Sequence, residues 1–339
     1  MSNKINILFT GATGYLGGSI LERLLSHPDF ARFQITAIVR SPEKAEKLRT
    51  FGIDVAMGSH NDVDLVTDIA AKADVVFTVA DCDDLGAARA ILEGLKRRHE
   101  KTGKKSTLIH TSGTGALIDD ANGAFTSDLI YDDIDPDQIE TLPDSAIHRH
   151  VDLPVVQADR EGYVNTYIVL PSVVYGLATG KLIDQGIQNP HSILLPHLIE
   201  LGVKRGQAGV CGKGQNTWPH VHIDDMADFY IILFDAILAA NPAPGHGREG
   251  YYFGENGHYL VYDLCKSVAV ALAAHGVGTD EPTTFTEEEH KTEFLVPVLG
   301  SNAQCKASRG RALGWKPRYS EEDLFGSVKA EVDAILKKN

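Results

Sequence analysis

The sequence predicts an α/β protein: a doubly wound parallel sheet carrying a smaller C-terminal α/β lobe. Three observations support this. An apolar strand runs through a glycine-rich turn into a helix at Ile5–Ile20, INILFTGATGYLGGSI. Strand and helix patterns then alternate to about residue 110, and that alternation breaks down after Pro171.

The opening stretch is the most informative. Ile5, Ile7, Leu8 and Phe9 form a short uncharged run suited to a buried parallel strand, and Leu16, Ile20, Leu21, Leu24 and Leu25 repeat at helical spacing. Between them lie Gly11, Gly14 and Gly17. One glycine allows a positive φ, one lets the backbone approach a pyrophosphate, and one lets helix pack close to strand. The free N–H groups of the helix then face the phosphates. The element predicts a bound dinucleotide on a Rossmann sheet.

The following elements fit such a sheet. Strands are expected at Ile35–Val39, Asp54–Met57, Val75–Val79, Thr107–His110 and Asn165–Leu170, with helices at Pro42–Thr50, Val63–Ala71, Leu85–His99 and Ala146–Glu161. From Leu117 to Ile147 the periodicity fails and acids accumulate (Asp119, Asp120, Asp128, Asp132, Asp133, Asp135, Asp137, Glu140), which reads as a long surface insertion. Later come a helix at Asp225–Ala240, a linker at Asn241–Gly250, a short strand at Tyr251–Phe253, and helices at Val261–His275 and Glu321–Lys337. The expected division is residues 1–170 as the dinucleotide-binding unit and 171–339 as the substrate lobe, with parts of 208–240 returning to the first.

Bulk properties narrow the partners. A net charge of -14 argues against nucleic acid and anionic membranes, both of which require basic patches. Cys82, Cys211, Cys265 and Cys305 show no paired spacing, and no apolar run approaches a membrane span. A cytoplasmic protein acting on a small molecule is expected. His220 and His222, followed by Asp224 and Asp225, read as the end of a strand and the cap of a helix, so no metal is expected. GLATGKL at Gly176–Leu182 lacks the spacing of a P-loop.

Five stretches in order, TGATGYLGG at Thr10–Gly18, LIHTSGTG at Leu108–Gly115, LPSVVYG at Leu170–Gly176, VHIDDMA at Val221–Ala227 and LGWKP at Leu313–Pro317, resemble the extended short-chain dehydrogenase/reductases. This is the NAD-dependent epimerase/dehydratase family, including its atypical and NmrA-like relatives. The resemblance implies cofactor contacts at Gly11, Thr13, Gly14, Tyr15, Leu16 and Gly17, at Ser59, Ala80 and Asp81, and at Ser112, Pro171, Ser172 and Val173. It also implies a substrate lining that includes Gln215, Asn216, Trp218 and His222, and a homodimer as an assembly open to the chain. Arg40 ends the second strand, where an NAD enzyme usually has an acid. With Ser41 and Lys44 it suits the 2′-phosphate of NADP(H).

The family's Tyr-x-x-x-Lys pair is missing from residues 116–175, and His148 and Asp152 stand where the two would fall. Two readings follow. In an oxidoreductase acting on a small carbonyl or alcohol, His148 donates the proton, Asp152 orients it from one turn along, and Ser112 or Thr114 holds the substrate oxygen. Alternatively the chain is a catalytically silent NADP(H)-binding redox sensor, with His148 and Asp152 only a polar helix face, or an epimerase or lyase that uses the nucleotide transiently. Tyr163 and Tyr167 are remoter candidates for the acid.

Overall fold

A computed structural model describes residues 4–240 and 242–337; Asn241, which opens the expected linker, lies outside them. Seven parallel strands run in the order Asp54–Met57, Phe33–Val39, Ile5–Thr10, Val75–Thr78, Ser106–Thr111, Val164–Pro171, Tyr251–Gly254. The order reverses beside the first strand, where Ile7 is paired with Ile35 on one side and Val75 on the other. Connections therefore diverge there, and a crevice opens beyond the strand ends. Strands buried on both faces need uninterrupted apolar residues, as Ile7, Leu8 and Phe9 provide; all three are buried.

The seventh strand belongs to the half expected to form the lobe. The chain returns to the sheet through the helix Ile223–Ala239, which packs on the helix Tyr15–Leu25 and inserts Phe234 against Phe77, ring centroids 5.3 Å apart. Tyr251–Gly254 then pairs with Ile168–Pro171. This corrects the expected division, which places the strand in the 171–339 lobe, because four residues cannot reveal by periodicity which sheet they join.

The remainder forms a second layer. Thr217–His222 pairs antiparallel with His258–Leu260 and parallel with Val173–Tyr175, while helices Leu194–Arg205, Val261–Ala273 and Glu321–Leu336 pack together. The first of these helices was not expected. It follows Pro190 and ends at Gly206, whose φ of 71° suits a left-handed cap.

The acidic insertion is stitched down. Tyr131–Asp132 pairs with Cys305–Lys306, Asp119 accepts from the backbone and side chain of Asn302, and buried Asp133 accepts from Phe253 N and Arg309 N. Two distant motifs also meet, since the Trp315 indole donates to the Asp225 carbonyl at 2.9 Å and the Asp225 carboxylate accepts from the backbone of Arg318 and Tyr319 at 2.7 and 3.0 Å. Asp225 is 1% exposed, so its removal leaves two backbone donors without their acceptor. Asp225→Ala is expected to cost about 2–4 kcal/mol in urea unfolding; a loss under about 0.5 kcal/mol would show the junction to be dispensable.

Candidate active site

The glycine turn is built for close approach. Gly11 has φ 79°, and a Cβ there would lie 2.6 Å from the Val79 carbonyl. A Cβ on Gly17 would lie 2.2 Å from the Gly11 carbonyl, so only glycine lets the helix start this close to the strand. Gly14 caps the helix with no side-chain partner, leaving the first N–H groups to a ligand.

A cavity of about 520 Å³ begins at Gly14–Gly17 and runs past Val79 and Ala80 to Thr111–Gly115, His148 and Pro171–Val174. Its far end is apolar, with Ile193, Leu194, Trp218, Leu295, Val298 and Leu299. The residues 176–192 fold back over the first helix. Tyr15 donates its hydroxyl to the Gly176 carbonyl at 2.5 Å, and Gln188 donates to Tyr15 O and Ser19 Oγ, both at 2.8 Å. This carries Ser192 to the cavity wall. The buried hydroxyls of Thr114, Ser172 and Ser192 all belong to residues that line the cavity, and none has a hydrogen-bond partner among the described residues. Buried polar atoms of this kind call for a ligand.

Most expected cofactor contacts converge here: Gly14, Tyr15, Leu16, Gly17, Ala80, Ser112, Pro171, Ser172 and Val173 line the cavity. Gly11 shapes the turn beneath it, and the Thr13 carbonyl accepts from Asn189 N. Arg40 is exposed just past the second strand and makes no hydrogen bond or ion pair among the described residues, whereas Ser41 is occupied in capping the next helix at Lys44 N. Ser59 is held in a turn by Asp62, and Asp81 lies beside a small hollow lined by His60, Asp84 and His110.

The substrate set is corrected. Only Trp218 lines the cavity. Gln215 is exposed, Asn216 is fully buried and donates to the carbonyls of Leu299 and Ser301, and His222 caps the helix at Asp224 N while stacking on Tyr319 at 3.7 Å. The family resemblance pointed to these residues, and likeness of motif does not say which side chains meet the cavity. Tyr163 and Tyr167 also lie outside the lining.

The expected His148–Asp152 pair does not form. His148 has φ 70° and precedes the helix Arg149–Arg160, so one-turn spacing does not align it with Asp152. Its Nδ1 lies 2.8 Å from Asp83 Oδ1, while Nε2 faces Gly113 and Gly115. Asp152 instead accepts from Ser112 Oγ at 2.9 Å and is 0% exposed. Its other oxygen is 3.7 Å from His110 Nε2, and His110 Nδ1 is 2.8 Å from Thr78 Oγ1.

Burial pushes the Asp152 carboxyl up to about 7, against the opposing pull of the Ser112 hydroxyl and Arg149. Burial pushes His110 down to about 4, helped by His148. Near neutrality a carboxyl that can hold a proton thus sits behind the one serine that faces the cavity from the fifth strand's end. Sequence reasoning missed Asp83 and His110. His110 was visible within LIHTSGTG as a polar residue closing a buried strand.

Comparisons with known proteins agree with this architecture. Residues 3–96 match the NmrA-like family. An oxidase, ucsJ, of Acremonium sp. is 29% identical, covering 92% of each chain, and an uncharacterized protein of Schizosaccharomyces pombe is 25% identical over 93% of this chain and 96% of its own. Among solved structures, UDP-glucose 4-epimerase from Thermotoga maritima superposes with TM-score 0.64 at 16% identity, covering 98% of this chain and 99% of its own. A dTDP-glucose 4,6-dehydratase from Streptomyces venezuelae with NAD bound gives TM-score 0.65 at 15% identity, covering 98% and 97%. Residues 3–96 thus resemble the NmrA-like family, and the chain as a whole has the fold of these solved epimerase and dehydratase structures.

Proposed function

We propose that this protein is an NADP(H)-dependent oxidoreductase acting on a small carbonyl or alcohol, with Ser112 and Asp152 replacing the missing Tyr-x-x-x-Lys pair. The observation that carries the reading is the continuity of one cavity from the glycine turn to a serine backed by a buried carboxyl. When bound, the nicotinamide supplies the hydride-exchange chemistry. With Asp152 protonated the bond to Ser112 reverses: Ser112 Oγ gives its proton to the carbonyl oxygen as Asp152 Oδ2 donates one to the serine, and the carboxylate so formed is reprotonated from solvent before the next turnover. Thr114 adds a second hydroxyl at the same wall, and His148 Nε2 borders it above Gly113 and Gly115.

The apolar far end favours a substrate with a hydrocarbon body over a nucleotide sugar, since few polar side chains there could pair with sugar hydroxyls. Resemblance to an oxidase supports redox chemistry. The four cysteines are free, as a cytoplasmic setting would keep them.

Arg40 and Lys44 carry the NADP(H) preference. Both lie beyond the second strand without an ion-pair partner among the described residues. Arg40→Ala is expected to weaken NADPH roughly tenfold in a fluorescence titration while leaving NADH within about twofold, because one charge-assisted phosphate contact is lost. Tighter binding of NADH than of NADPH by the wild type would overturn the preference. The reading itself is tested by screening ketones and aldehydes for NADPH oxidation. Tight NADPH binding with no turnover on any of them would favour the redox-sensor reading, and conversion without net cofactor oxidation would favour an epimerase or lyase.

A further inference from the structure

Cys82, Asp83 and His148 gather three different donor atoms at the rim of the cavity, although 65 residues separate Asp83 from His148. Cys82 Sγ is 3.4 Å from His148 Nδ1 and 3.7 Å from Asp83 Oδ2, and His148 Nδ1 is 2.8 Å from Asp83 Oδ1. A tetrahedral zinc ion, with bonds of about 2.0–2.3 Å, holds its donors about 3.3–3.6 Å apart, so these side chains are already near the spacing required. We propose that Cys82, Asp83 and His148 form a binding site for a zinc-class divalent cation, with its fourth position open toward the cavity.

The surroundings favour this reading over a simple hydrogen-bonded cluster. Asp81 and Asp83 flank a half-buried thiol, and among the described residues neither carboxylate is paired with a Lys or Arg. On metal binding Cys82 would ligate as the thiolate and His148 through Nδ1, and the displaced protons would leave to solvent.

The supporting contacts are also present. His150 Nε2 lies 2.9 Å from the Asp83 carbonyl, and Asp83 N donates to Asp81 Oδ1 at 3.0 Å, which fixes the loop that carries two of the donors. The left-handed backbone of His148, φ 70°, turns its ring off the helix and toward Cys82. A sulfur, nitrogen and oxygen set selects Zn²⁺ or Co²⁺ over Mg²⁺ or Ca²⁺, which prefer oxygen alone. Cys82 and His148 both line the cavity, so a metal-bound water would face it. This inference is independent of the hydride-transfer reading.

The test is a Co²⁺ titration of the full chain, free of any affinity tag and kept reduced. One equivalent should bind with the visible bands of tetrahedral cobalt and a near-ultraviolet thiolate-to-cobalt band, and Zn²⁺ should displace it. Cys82→Ser should abolish the thiolate band, and Asp83→Asn, at an exposed position, should weaken binding by roughly tenfold or more. Circular dichroism on each variant separates loss of the site from loss of fold. Failure of the wild type to bind either ion at about 10 µM, or survival of the thiolate band in Cys82→Ser, would overturn the proposal. Neither result bears on NADPH turnover.

Discussion

Asp152→Asn is expected to lower turnover of a carbonyl substrate by about 10²–10⁴-fold while leaving the NADPH dissociation constant within about twofold. Asn keeps the shape and can still accept from Ser112 Oγ at the 2.9 Å contact, but it cannot give up a proton. Ser112→Ala should lose a comparable factor, and the double variant little more than either alone, because the two act as one unit. Unchanged turnover in Asp152→Asn, with turnover present in the wild type, would refute the role.

The same substitution predicts a pH dependence of stability. Folding holds the Asp152 carboxyl up to about 7 from its ordinary 3.8. Between those values the unfolded chain has released the proton and the folded chain retains it, so stability falls as pH rises and then levels off above about 7. Asp152→Asn removes this cost, and its stability relative to wild type should improve by about 3 kcal/mol between pH 5 and pH 8. His110, held down at about 4, acts in the opposite direction: the unfolded imidazole takes up a proton that the buried one refuses, so its contribution is lost as pH falls from 6.5 toward 4. That contribution is common to both proteins and drops out of the comparison. Urea unfolding at the two pH values measures the difference, and a constant offset would show that Asp152 is not buried as a neutral acid.

Gly17→Val should have the second large effect. Its side chain would begin 2.2 Å from a backbone carbonyl, which no rotamer can relieve, so the helix must move off the strand. The expected cost is about 1–3 kcal/mol in stability and a fall in dinucleotide affinity of more than about tenfold, the value of one lost N–H-to-phosphate bond. Calorimetric titration with NADPH checks the second. Binding within about twofold of wild type would mean that the phosphates lie elsewhere.

Local pattern carried most of the fold. The apolar strand, the three glycines and the helical leucines of residues 5–25 act within a few residues of one another, so their arrangement is legible without the remainder of the chain. The insertion was harder to read because its order comes from partners distant in the chain, among them Phe253 N, the Asn302 side chain and the Arg309 backbone. The pairing of VHIDDMA with LGWKP through Asp225 and Trp315 joins positions 90 residues apart. Both motifs were recognised, but nothing in either names the other.

The sequence by itself determined the parallel α/β sheet and its dinucleotide-type turn, because backbone sterics and a buried apolar period depend on adjacent residues. It also singled out Thr111–Gly115 and His148, which line the cavity, and Asp152, which lies behind Ser112. Only the tertiary structure decided the pairing. His148 leaves the helical face at a left-handed backbone position and meets Asp83, and Asp152, freed from it, meets Ser112. Helical spacing predicts neighbours only where both residues lie inside the helix, and one of these two does not.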